Sequence, residues 1–258
     1  MPVGPRSFSE KGVPILMKRN VFRGILLILL LAGMGGCGWW KGSPVRGGTP
    51  ERLYQSGYQN YHEGDYEKAI EAFQRLQEQY PLSDLALKAE LGIADSHYSA
   101  GDFVEAEMSY LDFASLHPTN ENVPYAMYQG GMCHYRQMLG IDRDQTATHQ
   151  AGEAFGKLIS RFPGSPFSVM AEKRLRECNE RLADHEFYVG YFYFKRSKYK
   201  AALARFETIL EKYPGTHMNF RLNYLIEETK RRMASAAGKE GTGEKPAPSG
   251  ETGTPASG

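Results

Sequence analysis

The chain has 258 residues, 41% of them hydrophobic and 24% charged, the balance of an ordinary globular protein and not of a collagenous or wholly unstructured one. Its formal net charge is +1, but residues 1–36 hold Arg6, Lys11, Lys18, Arg19 and Arg23 against Glu10 alone, leaving 26 basic and 29 acidic residues, a net of −3, for the rest. A mildly acidic body argues against nucleic acid as a partner, since phosphate binding needs a concentrated basic face. Cysteines 37, 133 and 178 are too few and too far apart for a disulfide framework or a Cys-x2-Cys zinc site.

In chain order, the first feature is an address label. From Met17 a basic stretch, MKRNVFRG, leads into the apolar run 25–32 and then into Gly33-Met-Gly-Gly-Cys37, the layout of a secretory signal peptide. The apolar run is far shorter than the roughly 20 residues a membrane-spanning helix needs. Residues 1–16 have no signal logic of their own and fit a start codon assigned too early. The segment Met34-Gly-Gly-Cys37 resembles the lipobox of bacterial lipoproteins, which implies a diacylglycerol thioether and an N-acyl chain at Cys37. An ordinary secretory signal with an incidental cysteine is the alternative. Two or more acyl chains hold a protein firmly on a bilayer where one does not. Gly38, by resemblance to the sorting rule of enteric lipoproteins, favours the outer membrane over the inner. Trp39 and Trp40 sit beside the proposed lipid, as headgroup-level indoles or as plain linker residues. Residues 37–50 are thus expected to be a lipidated terminus and linker.

Beyond the linker, internal periodicity dominates the chain. The pattern Ala-x3-(Phe or Tyr)-x7-Pro occurs four times: Ala69, Phe73, Pro81; Ala106, Tyr110, Pro118; Ala151, Phe155, Pro163; and Ala202, Phe206, Pro214. Three of the alanines are preceded by a small residue, one further position and an aromatic, as in Gly64-Asp-Tyr66, Gly101-Asp-Phe103 and Ser197-Lys-Tyr199, the signature of a turn between two helices. The pattern resembles the tetratricopeptide repeat. There a small residue lets two helices approach closely, an aromatic four positions on fills the groove, and a proline ends the second helix. Gly57, and Gly190 with Tyr193, mark first helices. The fold expected is all-α, a solenoid of antiparallel helical hairpins with four recognisable repeats over residues 51–237 and a C-terminal capping helix.

The alanines are spaced by 37, 45 and 51 residues, against roughly 34 for the plain repeat, so the excess locates two insertions. The second gap contains a polar loop expected over residues 138–150. The third is expected to hold one lengthened helix from about Phe167 to Lys195, opened by the N-cap pair Ser165-Pro166 and spanning roughly 45 Å. Residues 219–237, with Lys230, Arg231 and Arg232, read as the polar cap that ends a repeat stack. Residues 238–258, rich in Gly, Pro, Ser, Thr and Glu, read as a disordered tail.

Motifs of catalysis are missing. No Gly-x-Ser-x-Gly, His-Glu-x-x-His, P-loop or Gly-x-Gly-x-x-Gly occurs, so the expectation is a binding protein and not an enzyme, with no metal and no cofactor beyond the lipid. His62, His97 and His134 read as structural. Cys133 and Cys178 read as small buried hydrophobes, although an oxidising periplasm leaves a disulfide between them open. Asp142-Arg143-Asp144 is an interaction loop or a solvated turn, its two carboxylates flanking a neutralising guanidinium. In the run 187–194 most rings are expected in the core and a minority on a concave, peptide-binding surface.

Three stretches are more specific than the repeat: LYQSGYQNYHEGDYEKAIEAFQRLQEQYP, IDRDQT and ERLADHEFYVGYFYFKRSKYKAALARFETILEKYPGT. Together they resemble the BamD (YfiO/ComL-like) family of outer-membrane β-barrel assembly lipoproteins over roughly residues 37–232. The resemblance implies a lipid-anchored scaffold on the periplasmic face of the outer membrane, with BamA, other Bam lipoproteins and unfolded β-barrel precursors as partners. By matching position it puts BamA-facing contacts at Asp142, Arg143, Asp144, Gln145, Arg196 and Arg205. It puts an extended precursor segment in a groove around Tyr54, Tyr58 and Tyr61. The family's five-repeat pattern is not matched after Pro214. The residues alone also leave open another periplasmic repeat lipoprotein, an adaptor for cell-wall enzymes or envelope constriction.

Overall fold

A computed structural model describes residues 48–241. The leader, Cys37, Trp39, Trp40 and the stretch from residue 242 onward lie outside the described residues. Within them the chain forms helices joined by short turns: α1 (Pro50–Glu63), α2 (Tyr66–Gln79), α3 (Asp84–Ala100), α4 (Phe103–Leu116), α5 (Val123–Arg136), α6 (Thr146–Arg161), α7 (Pro166–Lys195), α8 (Tyr199–Lys212) and α9 (Asn219–Gly241). Each packs on the next in sequence, and α1 also meets α3 while α5 meets α7. The architecture is the expected all-α stack of hairpins.

The repeat motif explains the hairpins residue by residue. Ala69, Ala106, Ala151 and Ala202 are fully buried, and Phe73, Tyr110, Phe155 and Phe206 are almost so. Burying each ring is worth about 1.5–3 kcal/mol. Room for the ring comes from glycine on the neighbouring first helices: a Cβ on Gly57 would lie 2.5 Å from the Phe73 ring, and one on Gly92 would lie 2.6 Å from its other edge. Phe73 is therefore clamped between α1 and α3. Gly131 against Phe155 and Gly190 against Phe206 repeat half of that contact.

The ends of the helices are set by local chemistry. Tyr80, His117, Phe162 and Tyr213 each precede a proline, whose ring pushes the preceding residue out of the helical region. All four sit near ψ 55–60° with the amide still bonded four residues back, closing the second helix of each hairpin. The tight turn within a hairpin needs positive φ, supplied by Gly64 (82°) and Gly101 (92°), and in the last hairpin by Ser197 at 57°. Thr49, Ser83 and Ser165 cap α1, α3 and α7 through their hydroxyls, with Pro50 and Pro166 in the first turn.

Of the two inserted segments, the longer is helical. Helix α7 is continuous over 30 residues, about 45 Å at 1.5 Å per residue. Its first part, with Ala171 and Cys178, belongs to the core around Phe155, and its last part, with Leu182, Ala183 and Phe194, to the core around Phe206. One rod thus joins the third hairpin to the fourth. The polar loop is shorter than expected, for α6 starts at Thr146 and only residues 137–145 lie between helices. Polar composition misleads here because Thr148 is buried and hydrogen-bonded to Gln145, so tertiary packing overrides the modest helix propensity of the TATHQ stretch. At the other end α9 runs to Gly241, so residues 238–241 are helical and not part of a disordered tail. A single glycine costs a helix only about 1 kcal/mol, and Gly238 comes after the helix-favouring stretch ASAA.

Cys133 and Cys178 are free and buried, each thiol pushed up by burial, to about 12 and about 11 respectively. Both are held protonated and unreactive, as small hydrophobes are. None of the described helices is long and apolar enough to cross a membrane.

Two glycines on first helices should respond in opposite ways. Gly92→Leu drives a side chain into the Phe73 ring and should destabilise by at least about 1–3 kcal/mol, lowering Tm by about 2–4 °C per kcal/mol. A Cβ on Gly130 meets nothing within 4 Å, so Gly130→Ala should stabilise by up to about 1 kcal/mol. Thermal unfolding monitored by circular dichroism decides both; equal shifts of one sign would refute the clamp.

Candidate partner-binding surfaces

Tyr54, Tyr58 and Tyr61 recur at the spacing that puts them on one face of α1. Together with Lys88, Gly92 and Asp95 of α3, Asn122 and Tyr125 at the start of α5, and Phe167 of α7, they line one open groove of about 530 Å³, floored in part by Phe73. The first helices of successive hairpins thus build it. Tyr58 is 53% exposed, so its ring is presented and not packed. Tyr54 packs its ring 5.7 Å from Phe73, and the Tyr61 hydroxyl meets Ser99 Oγ at 3.0 Å. Burial holds the Tyr54 hydroxyl above its ordinary pKa, with Tyr58 and Asp95 adding to the effect.

Asp95 is the groove's one carboxylate among the lining residues. The hydroxyls of Tyr110 and Tyr125 both donate to its Oδ1 at 2.5 Å. Burial pushes its pKa up, and the two hydroxyl donors only partly offset that. Both tyrosine hydroxyls are held well above the usual range by burial and then by the Asp95 charge. Sequence reading missed Asp95, Lys88, Tyr125 and Phe167; the signal was there in the seven-residue spacing from Lys88 to Asp95, one face of α3, but it pointed nowhere until α1 and α5 were in place.

The loop between α5 and α6 divides the expected BamA-facing residues. Asp142, Arg143 and Asp144 are exposed, and Gln145 is buried. Gln145 Nε2 donates to the carbonyls of Gly140 (2.8 Å) and Arg143 (3.1 Å), so this side chain shapes the loop from inside and does not present itself to a partner. Asp144 Oδ1 accepts from the Thr146 amide at 2.9 Å at the start of α6, and hydrogen bonding to the Thr146 side chain, then to its amide, lowers its pKa. Helix α7 holds the loop from outside through two residues that sequence reading did not single out. Arg181 donates to the Leu139 carbonyl at 2.5 Å and the His185 Nδ1–H to the Ile141 carbonyl at 2.7 Å.

Arg205 of α8 forms a two-pronged pair with Glu186 at 2.9 and 3.1 Å, and Glu186 adjoins His185. The structure therefore ties the loop and Arg205 to neighbouring positions of α7. Arg196 stands apart at the end of α7, ten residues or about 15 Å of helix beyond Glu186, its guanidinium over the Phe192 ring at 4.5 Å. In the aromatic run, Phe187, Tyr191 and Phe194 pack against the last core, whereas Tyr188 and Phe192 are about half exposed.

Known relatives cover the region that contains these surfaces. The family model for YfiO, described as outer membrane lipoprotein, matches residues 46–243. The chain belongs to the YfiO family. Its relatives include the outer membrane protein assembly factor BamD of Caulobacter vibrioides, 30% identical over 207 residues that cover 79% of this chain and 68% of the relative. Proteins of the same name from Rickettsia prowazekii (29% identical, 80% and 82% covered) and Vibrio cholerae (27%, 84% and 98%) align as broadly.

Asp95 gives a direct test of the groove's electrostatics. A carboxyl whose pKa is higher folded than unfolded favours the fold when protonated, and its contribution is lost as pH rises through the folded value. At neutral pH the ion is thus a cost. Asp95→Asn keeps an acceptor for both tyrosine hydroxyls and removes the charge, so its Tm at pH 7 should equal or exceed that of the parent, the difference closing as pH falls below the ordinary carboxylate range. A variant clearly less stable at pH 7 than at pH 4, relative to the parent, would contradict this.

Proposed function

We propose that this protein is a lipid-anchored scaffold of the β-barrel assembly machinery on the periplasmic face of the outer membrane, binding BamA and receiving unfolded β-barrel precursors. It acts by holding other polypeptides and not by catalysis. What carries the reading is the tyrosine groove: three exposed or half-exposed rings on α1, joined by three further first helices, form one trough of about 530 Å³ inside the stretch that matches the family. An extended segment suits such a trough, since its alternate side chains find ring-lined pockets while its backbone stays accessible.

The second surface is the loop with Asp142 and Arg143, held on α7, and Arg205 beside it. This surface is assigned to BamA, with Asp144 exposed at the start of α6, Gln145 supporting the loop from within and Arg196 as a separate contact at the far end of α7. A rigid loop loses less entropy on docking than a free one, which is the use of the Arg181 and His185 bonds. Cys37 is assigned the lipid, and other Bam lipoproteins are assigned as further neighbours.

Two measurements test these assignments. Cys37→Ser should move the protein from the membrane to the soluble fraction with its helical circular dichroism unchanged; continued sedimentation with membranes would defeat the lipid anchor. Arg205→Glu places a like charge against Glu186 and should cut co-purification with BamA from detergent extracts by about tenfold or more, the scale of a lost close charge pair. Undiminished recovery of BamA with a folded variant would remove this surface from the interface.

A further inference from the structure

The groove holds a carboxyl group whose charge the packing of the hairpins does not need, since an uncharged acceptor would serve the two tyrosine hydroxyls as well. Asp95 Oδ1 takes two hydroxyl bonds, and Oδ2 takes none from the described residues. No cation among the described residues pairs with it either. Asp95 is half-buried, and a carboxylate partly withdrawn from water costs free energy unless it is paired. Around it stand the rings of Tyr54, Tyr58, Tyr125 and Phe167, lining the same groove. Ring faces attract cations, and a carboxylate gives a cation a charge-assisted hydrogen bond. Lys88 lies on the same wall, seven residues earlier on α3, about 10.5 Å along the helix axis.

Resting on the reading that this groove holds an extended precursor segment, we propose that Asp95 and the surrounding rings select segments carrying a lysine or arginine. The guest's cation lies beside Oδ2 and its methylenes lie along the tyrosine faces. Lys88 sets the register, because it repels a second cation about 10 Å away, which is about three residues of extended chain. The preferred guest has a basic side chain at the Asp95 position and an uncharged or acidic one about three residues toward Lys88. The two tyrosine hydroxyls on Oδ1 fix the carboxylate's plane and leave Oδ2 as the acceptor for the guest.

The test uses the detergent-solubilised full chain and two fluorescent peptides of about ten residues, strand-length, alternating aromatic and small polar residues. One has a central arginine and the other a methionine there. Fluorescence anisotropy should show the arginine peptide bound about tenfold more tightly, a difference of about 1.4 kcal/mol. Asp95→Asn should reduce that preference to less than about twofold, whereas Glu172→Gln, the same charge change on an exposed part of α7, should leave it intact. Tyr58→Ala should weaken both peptides. Equal binding of the two peptides by the parent chain, or a preference that survives in Asp95→Asn, overturns the selection while sensitivity to Tyr58→Ala keeps the groove. If neither peptide binds, or if Tyr58→Ala changes nothing, the groove reading falls and the selection falls with it.

Discussion

A ring pressed between glycines is the contact on which the rest of the structure depends. Phe73 reaches from α2 to the backbones of both α1 and α3, and it can do so only because Gly57 and Gly92 present no Cβ. That contact sets the spacing of a hairpin and at the same time joins it to the next one, so the local unit and the stack have one cause. In a quasi-one-dimensional fold, stability is the sum of such neighbour terms. The buried alanines and the prolines after each second helix, with positive-φ turn residues in three of the hairpins, bring a ring to the equivalent place in each repeat, although only Phe73 meets glycine on both sides.

The stack departs from strict repetition where partners are assigned. Helix α7 crosses from the core around Phe155 to the core around Phe206 without a break, so the two hairpins it serves cannot shift independently. The same helix carries Arg181, His185 and Glu186, which hold the α5–α6 loop and Arg205. A loop fastened to a rod that spans two cores is a more rigid feature than its polar composition implies. Rigid elements position contacts with less loss of entropy than loops alone.

Legibility in the sequence tracked the range of the interaction concerned. The four hairpins were readable because a small residue, a ring and a proline at fixed spacing express contacts made within one repeat. The long helix was readable for a related reason, the N-cap pair Ser165-Pro166 ahead of an uninterrupted run. The start of α6 was not, since Thr148 becomes helical through burial against a neighbour and not through its own propensity. Tyr54, Tyr58 and Tyr61 could be placed on one face of α1 from their spacing and the family likeness. Asp95 could not be placed, because what gives it meaning is the approach of Tyr110 from α4 and Tyr125 from α5, residues 15 and 30 positions away. Gln145 shows the converse error: its neighbours in the chain are exposed, and it turns inward to bond the loop's carbonyls.

Asp95 and Gln145 mark how the fold separates structure from function. Buried polar side chains of the core have local uses: Gln145 shapes a loop, Ser168 bonds the Phe162 carbonyl, Thr148 bonds Gln145. Asp95 differs, because its two tyrosine donors satisfy one oxygen and still leave its charge raised in energy by burial. An asparagine would satisfy the same hydroxyls without that cost. A carboxylate kept where an amide would do for packing, in a groove whose rings stay partly uncovered, is stabilisation forgone at a surface open to another chain, and that is the physical difference between the groove and the core beneath it.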